Sequence, residues 1–112
     1  MSPILIRTTD ADFTTPAAVG APTGPQIAVT RIAGNTATPS GNAGIWECSP
    51  GRFRRQVPQA EYSYFIAGSG SFTPDNGEIV NFRAGDSIWF APDTQGEWDI
   101  REAVRKAYFI IG

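Results

Sequence analysis

Regular turn punctuation constrains the fold of this chain more than any other feature of its sequence. From Ile45 onward, short β-rich runs alternate with turn-forming segments such as Ser49-Pro50-Gly51 and Arg83-Ala84-Gly85-Asp86. The whole chain carries 12 glycines and 9 prolines, and no stretch of helical length shows a convincing helical period. Short strands joined by frequent turns predict an all-β sandwich or barrel.

The strand prediction follows the turns along the chain. Asp75-Asn76-Gly77 is a strong hairpin signal because Asn-Gly tolerates the positive φ that tight hairpins need. Gly34–Gly44 is predicted to be a loop and Gly68-Ser69-Gly70 a turn, and Ile4-Leu5-Ile6 is a candidate edge strand. The other predicted strands are Gln26–Ile32, Ile45–Cys48, Phe53–Val57, Glu61–Ala67, Ser71–Pro74, Glu78–Phe82, Ser87–Ala91, Trp98–Arg101 and Arg105–Ile111.

A chain of 112 residues, of which 41% are hydrophobic, has the size and composition of one globular domain. We expect residues 1–40 to form an N-terminal arm and edge strands that pack on a barrel. Residues 41–112 are expected to form the barrel core. No internal repeat or linker divides the chain.

Charge and cysteine content exclude several classes of protein. The net charge of −2 lacks the basic surplus of a nucleic-acid binder, so we expect no nucleic-acid partner. No apolar run approaches a membrane-spanning length, so no membrane partner is expected. Cys48 is the only cysteine, and with no histidine to activate it we expect a buried thiol. A cytoplasmic location is the expectation from this cysteine usage and from the absence of a signal-peptide pattern at the N-terminus.

Several weak motifs in the last 70 or so residues carry a family resemblance through their order and spacing. The motifs are Gly44-Ile45-Trp46-Glu47-Cys48-Ser49-Pro50-Gly51, Glu61 with Gly68 seven residues later, Phe82-Arg83-Ala84-Gly85-Asp86-Ser87 leading to Phe90-Ala91-Pro92, Gly96-Glu97-Trp98, and Val104-Arg105-Lys106-Ala107-Tyr108. In these segments the chain resembles the cupin superfamily, particularly small cupins of the ethanolamine-utilisation and (S)-ureidoglycine aminohydrolase types. The resemblance implies a single jelly-roll barrel of two antiparallel sheets.

The chain departs from the metal-binding cupins that it resembles. Those cupins carry two histidines shortly before the glutamate that matches Glu61, whereas this chain contains no histidine. The corresponding positions hold Arg55 and Val57, or Arg54 and Gln56 after a one-residue shift. We therefore predict no metal site and no cofactor, because one carboxylate alone is a poor ligand set for a transition metal.

Glu61, Lys106 and Glu47 are the candidate catalytic residues. Glu61 matches the inward-pointing glutamate of the metal cupins, and it is either a ligand or base in the cavity or a buried carboxylate paired with a cation. A lysine inside an apolar barrel has a lowered pKa and serves as acid, base or nucleophile. The alternative for Lys106 and Glu47 is a structural ion pair.

A second set of residues is predicted to contact a small organic ligand. Strand alternation places Ser63 on the same face as Glu61 and Tyr64 on the other. Aromatic residues could line a pocket or simply fill the core, and the arginines at 52, 54 and 55 could grip an anion or be solvated strand residues. The predicted substrate-binding residues are Trp46, Trp98, Tyr64, Ser63, Phe90 and Arg55.

Two functions remain open from the sequence. One is an enzyme, independent of metal or using a metal without histidine, that acts on a small polar nitrogen-containing metabolite, with Glu61 and Lys106 as acid and base and Glu47 orienting. The other is a non-catalytic module that binds a small ligand.

The apolar N-terminal segment Ile4-Leu5-Ile6 leads us to expect a homodimer, in which this segment adds to the sheet edge of a second copy. Light scattering at micromolar concentration should give the mass of two chains. A monomer under these conditions would refute the prediction.

Overall fold

The computed structural model describes residues 2–112, and within this range nearly every regular element is a β-strand. One 3-10 turn covers Asp10–Asp12. The strands are β1 (Ala17–Ala18), β2 (Val29–Thr38), β3 (Gly41–Cys48), β4 (Gly51–Arg54), β5 (Glu61–Pro74), β6 (Val80–Arg83), β7 (Ser87–Phe90) and β8 (Gly96–Ile111). No helix in the described part of the chain has the length and apolar character needed to cross a membrane.

Two long strands, β5 and β8, organise the barrel by running through both of its layers. The first half of β5, which begins at Glu61, pairs with the second half of β8, which ends near Ile110. This pair is flanked by β7 on one side and by β3, β2 and β1 on the other. The remaining halves pair near Phe72 and Trp98, with β6 and β4 outside them. All pairings are antiparallel, which confirms the predicted jelly-roll of two antiparallel sheets.

The predicted turn at Gly68-Ser69-Gly70 was wrong, because these residues lie inside β5. The pairing of β5 with β8 shifts register three times between Phe65 and Gly70, so the strand bulges here instead of ending. Gly68 has a φ of 91°, and a Cβ at this position would lie 2.3 Å from the carbonyl oxygen of Ala103. Glycine is therefore used to bend one strand from the first layer into the second.

The predicted loop at Gly34–Gly44 was also wrong, because most of it forms the β2–β3 hairpin. Thr36 to Thr38 pair with Gly41 to Ala43 around a tight turn at Pro39 and Ser40. The glycines and the proline of this segment are typical of loops, but its threonines also suit a β-strand. The predicted hairpin around Asp75-Asn76-Gly77 is confirmed, since β5 and β6 pair across it.

Ile4-Leu5-Ile6 does not form a strand within the chain, so that prediction was wrong. Ile4 and Leu5 are 67% and 72% exposed, whereas Ile6 covers the bare backbone of Gly34. Whether this segment pairs with a second copy stays a prediction. Further along the arm, Phe13 bridges to Ala33 and Pro22 bridges to Phe53, which tie the N-terminal region to the barrel.

Aromatic side chains dominate the core between the two layers. Phe65 of β5 stacks on Phe82 of β6 with ring centroids 4.0 Å apart. Trp98 of β8 makes edge contacts with Phe72 and Phe82 and a tilted contact with Phe90. These residues belong to one buried hydrophobic cluster at one end of the barrel interior. At its other end the packing gives way to a cavity.

Candidate functional site

The barrel interior opens into a cavity of about 410 Å³, bounded by β3, β8, the start of β5 and the segment that follows β4. This volume is within the range of about 300–1,000 Å³ in which proteins bind small organic molecules. Part of the cavity wall is aromatic and is formed by Trp46, Phe53, Trp98 and Tyr108. Polar side chains lie around them, including Thr30, Asn35, Asn42 and Gln56.

An ion cluster lies at the bottom of this cavity. Lys106 Nζ donates a hydrogen bond of 2.7 Å to Glu61 Oε2, which also accepts a 2.7 Å hydrogen bond from Ser63 Oγ. Arg55 Nη2 lies 3.5 Å from the other carboxylate oxygen, Oε1. Glu61, Lys106 and Arg55 are 3%, 5% and 3% exposed, so their charges are almost fully removed from bulk water.

Strand alternation explains how these side chains meet. Glu61, Ser63 and Phe65 occupy the buried face of β5, and Lys106 and Tyr108 occupy the buried face of β8. Phe65 is the register partner of Lys106 across the β5–β8 pair. The lysine stem therefore runs beside the core while its ammonium group reaches back toward Glu61.

Burial makes the neutral form of Lys106 more accessible than it is for a lysine in water. Burial lowers its pKa below the usual lysine value, and the attraction of Glu61 offsets only part of this effect. The ammonium nitrogen lies 4.7 Å from the ring centroid of Trp46 and 5.0 Å from that of Trp98. These π-faces give a cation–π attraction that replaces some of the lost hydration.

Glu61 stays ionised in the same cluster. Burial acts to raise its pKa, but the charge and hydrogen bond of Lys106, the Ser63 hydroxyl and the charge of Arg55 outweigh burial and hold the pKa below its usual value. Both carboxylate oxygens have cationic neighbours. Glu61 therefore serves mainly as the fixed counter-ion that orients Lys106.

Arg55 is buried, which excludes one of the two alternatives that the sequence left open, a solvated strand arginine. Its guanidinium donates to the backbone carbonyls of Val57, Thr94 and Gln59 and lies 4.4 Å from the ring centroid of Phe90. Burial lowers the pKa of Arg55, but the ordinary pKa of a guanidinium is so high that the group keeps its charge.

The neighbouring arginines do match the expectation of surface residues. Arg52 pairs with Glu97 and Asp99, and Arg54 pairs with Asp75.

The residues around Glu61 do not fit the metal that many cupins hold. Arginine and lysine occupy the space beside the carboxylate, and neither cation is a ligand for a metal ion. Within residues 2–112, no group of three or more histidine, cysteine or carboxylate side chains could hold one. Cys48 is buried nearby, and burial raises the pKa of its thiol to about 12, so it stays protonated.

The structure brings most of the predicted site residues together. Glu61, Lys106, Arg55, Trp46 and Trp98 all line the cavity. Two further predicted residues support this group from behind without lining it. Ser63 donates to Glu61, and Phe90 packs beneath the Arg55 guanidinium.

Tyr64 and Glu47 lie outside the cavity, contrary to the predicted roles. Tyr64 is 42% exposed on the outer face of β5, as strand alternation from Glu61 requires. Glu47 follows the inward-facing Trp46 on β3 and so points outward. There it accepts hydrogen bonds from Arg31 and Arg105 at 2.7 and 2.6 Å. This ion pair is the structural alternative that the sequence left open.

Sequence reasoning missed several residues at the cavity. Tyr108 could have been found, because it lies two residues after Lys106 on the same face of β8. Its hydroxyl donates to Asn35 Oδ1 at 2.8 Å, and burial together with the charge of Glu61 raises its pKa. Val19 and Asn35 come from the first 40 residues. No local pattern could have found them, because pairing with distant strands brings them to the rim.

The model of the EutQ-like cupin domain matches residues 36–108, which is well over half of the chain. The chain belongs to the EutQ-like cupin family.

Solved structures of related cupins share this fold. The EutQ protein of Clostridium difficile has a TM-score of 0.68 at 16% identity, over 94% of this chain and 79% of that one. A DUF861 family protein of Pseudomonas syringae has a TM-score of 0.71 at 19% identity. The match covers 96% of this chain but only 44% of that protein. A DUF861 protein of Thermotoga maritima is 27% identical over 60% of this chain and 76% of that one, with a TM-score of 0.57. None of the curated proteins matches this cupin.

Removing one partner of the buried Glu61–Lys106 pair should destabilise the protein strongly. We expect Lys106→Met and Glu61→Gln each to lower the free energy of unfolding by about 3–5 kcal/mol at pH 7, because each leaves a buried charge without its main partner. The double variant should lose much less than the sum, because both charges leave together. Urea unfolding followed by tryptophan fluorescence measures all three.

Glu47→Gln is the matched control for this cycle. Glu47 also pairs with cations, but it is partly exposed on the outer face, so its loss should lower the free energy of unfolding by only about 1 kcal/mol. Additive losses in the Glu61 and Lys106 variants, to within about 0.5 kcal/mol, would show that the two groups do not interact.

Proposed function

We propose that this cupin binds a small polar organic molecule in its barrel cavity and exchanges protons with it through Lys106, without a metal. The observation that carries the proposal is an amine of lowered pKa at the bottom of a ligand-sized cavity, aligned by a carboxylate. A perturbed titratable group with a specific charge partner inside a cleft is a candidate for a functional site.

Lys106 is suited to general acid–base chemistry because its neutral form is accessible. A neutral amine accepts a proton from a bound molecule, and the resulting ammonium is stabilised by Glu61 at 2.7 Å. The same ammonium returns the proton in a later step. Glu61 keeps its charge throughout, so it is a positioning residue and Lys106 is the proton carrier.

The rim of the cavity suits a polar, nitrogen-containing metabolite. The amide side chains of Asn35, Asn42 and Gln56 line the opening and provide both donors and acceptors. Such groups bind ureide or amide nitrogens and oxygens equally well. Trp46 is only partly buried and, beside the nearly buried Trp98, offers an aromatic surface on which the rest of the molecule packs.

A binding module without catalysis is the second candidate, and one observation favours it. Both oxygens of Glu61 already face partners, Lys106 and Ser63 on one side and Arg55 on the other. A closed cluster of this kind also acts as the rigid floor of a pocket. In that case a ligand would stabilise the protein without being changed.

The three tryptophans offer a direct test of cavity binding. Trp46 and Trp98 line the cavity, whereas Trp89 is 57% exposed outside it. With indole nitrogens labelled for NMR, polar metabolites from a screening panel should shift the Trp46 and Trp98 signals and leave the Trp89 signal unchanged. Compounds that move only Trp89, or none of the three, would contradict binding in the cavity.

Each compound that binds is then incubated with the protein and followed by NMR for turnover. Lys106→Met should reduce the rate by about 100-fold or more, as expected for loss of a general acid–base group. Glu47→Gln should leave the rate unchanged, because that carboxylate lies outside the cavity. Binding without any product would exclude the catalytic proposal and favour the binding module.

A further inference from the structure

The cavity floor holds two cations and only one carboxylate. Arg55 and Lys106 are both buried against Glu61, so one positive charge lacks a protein counter-ion when Lys106 is protonated. We propose that the ligand of this cavity is an organic monoanion with a planar body, whose negative charge completes the cluster. This inference rests on the proposed binding of a small molecule in the cavity and names its class.

No other carboxylate in the described part of the chain forms an ion pair with Arg55 or Lys106. The nearby acidic residues have other cations as partners. Glu97 and Asp99 pair with Arg52, and Asp75 pairs with Arg54. Since an uncompensated buried charge is unfavourable, a negatively charged ligand gains more here than at a surface site.

The two cations also retain unused hydrogen-bonding capacity. Lys106 Nζ has three donors, and only one is used, in the bond to Glu61. Arg55 Nε is buried with no hydrogen-bond acceptor among residues 2–112. A buried donor without a partner is rare in native proteins. Both observations fit a cavity floor whose hydrogen bonds and charge are completed by an acceptor that comes from outside the chain.

The shape of the cavity indicates the body of the ligand. The rings of Trp46 and Trp98 lie 6.0 Å apart at a 35° angle, and Phe53 lies beside Trp46 at 6.5 Å. A planar group that packs on the partly buried Trp46, beside the nearly buried Trp98 and Phe53, gains apolar burial and aromatic contact. The volume of about 410 Å³ far exceeds the space that a two-carbon anion fills, so a larger planar anion fits better.

Benzoate and benzamide make a matched pair of probes, because they share a shape and differ in charge at pH 7. We expect benzoate to shift the Trp46 and Trp98 indole signals and to bind at least about tenfold more tightly than benzamide, through the charge attraction in the cavity. Acetate should bind more weakly than benzoate because it leaves the aromatic walls uncovered. Dissociation constants come from NMR titration of the wild-type protein.

Charge-altering variants test whether the cavity charge sets this preference. Lys106→Met leaves one cation against one carboxylate, so the preference for benzoate over benzamide should disappear. The double variant Lys106→Met/Glu61→Gln leaves Arg55 alone, restores one net positive charge and should keep the preference. Arg52→Met removes an exposed cation outside the cavity and should change nothing. If Lys106→Met alone does not fold, the double variant still tests the proposal.

Three results would overturn the inference. The first is benzamide binding as tightly as benzoate, and the second is acetate matching benzoate. The third is loss of the benzoate preference in the double variant. In the first two cases the Trp46 and Trp98 shifts would still show an occupied cavity, so the proposed function would stand while the ligand class fails. Compounds that leave both tryptophan signals unmoved, in this set and in the metabolite panel alike, would overturn both.

Discussion

One contact organises this molecule, the hydrogen-bonded ion pair between Lys106 and Glu61 inside the barrel. Two charges leave water there, and their mutual attraction offsets that loss only because the geometry is close and further groups support it. Ser63, Arg55 and the faces of Trp46 and Trp98 supply this support. The pair lowers the pKa of Glu61 and keeps a buried amine at the wall of the cavity.

The fold provides this contact through its two longest strands. Glu61 lies on β5 and Lys106 on β8, and the bulge around Gly68 lets β5 leave the layer that carries the site and enter the layer that carries the aromatic core. The site is therefore built on rigid paired strands, while the rim comes from the arm and the β2–β3 hairpin.

Patterns that act over a few residues were sufficient to predict the all-β class and the hairpin at Asp75-Asn76-Gly77, whereas the inward face of Glu61 was implied by the resemblance to the metal cupins. They failed where a local signal had two structural meanings. Glycines at 68 and 70 are typical of a turn, yet long-range pairing with β8 converts them into a bulge within one strand. For Arg55 the sequence left two alternatives, a solvated strand arginine and a binding residue. Its burial follows from backbone carbonyls at Val57, Gln59 and Thr94, which come together only in the folded barrel.

Lys106 is the only lysine of the chain, so its titration gives the most direct test of the account. Protein labelled with ¹³C at the lysine Cε should show one lysine signal by NMR. The pH titration of this signal should have its midpoint below the ordinary lysine pKa of 10.5. Glu61→Gln should move that midpoint still lower, because the carboxylate favours the ammonium. The unfolded chain in urea gives the ordinary value as a reference. A folded-state midpoint equal to that reference, unchanged in Glu61→Gln, would show that Lys106 is neither buried nor paired and would contradict the central claim.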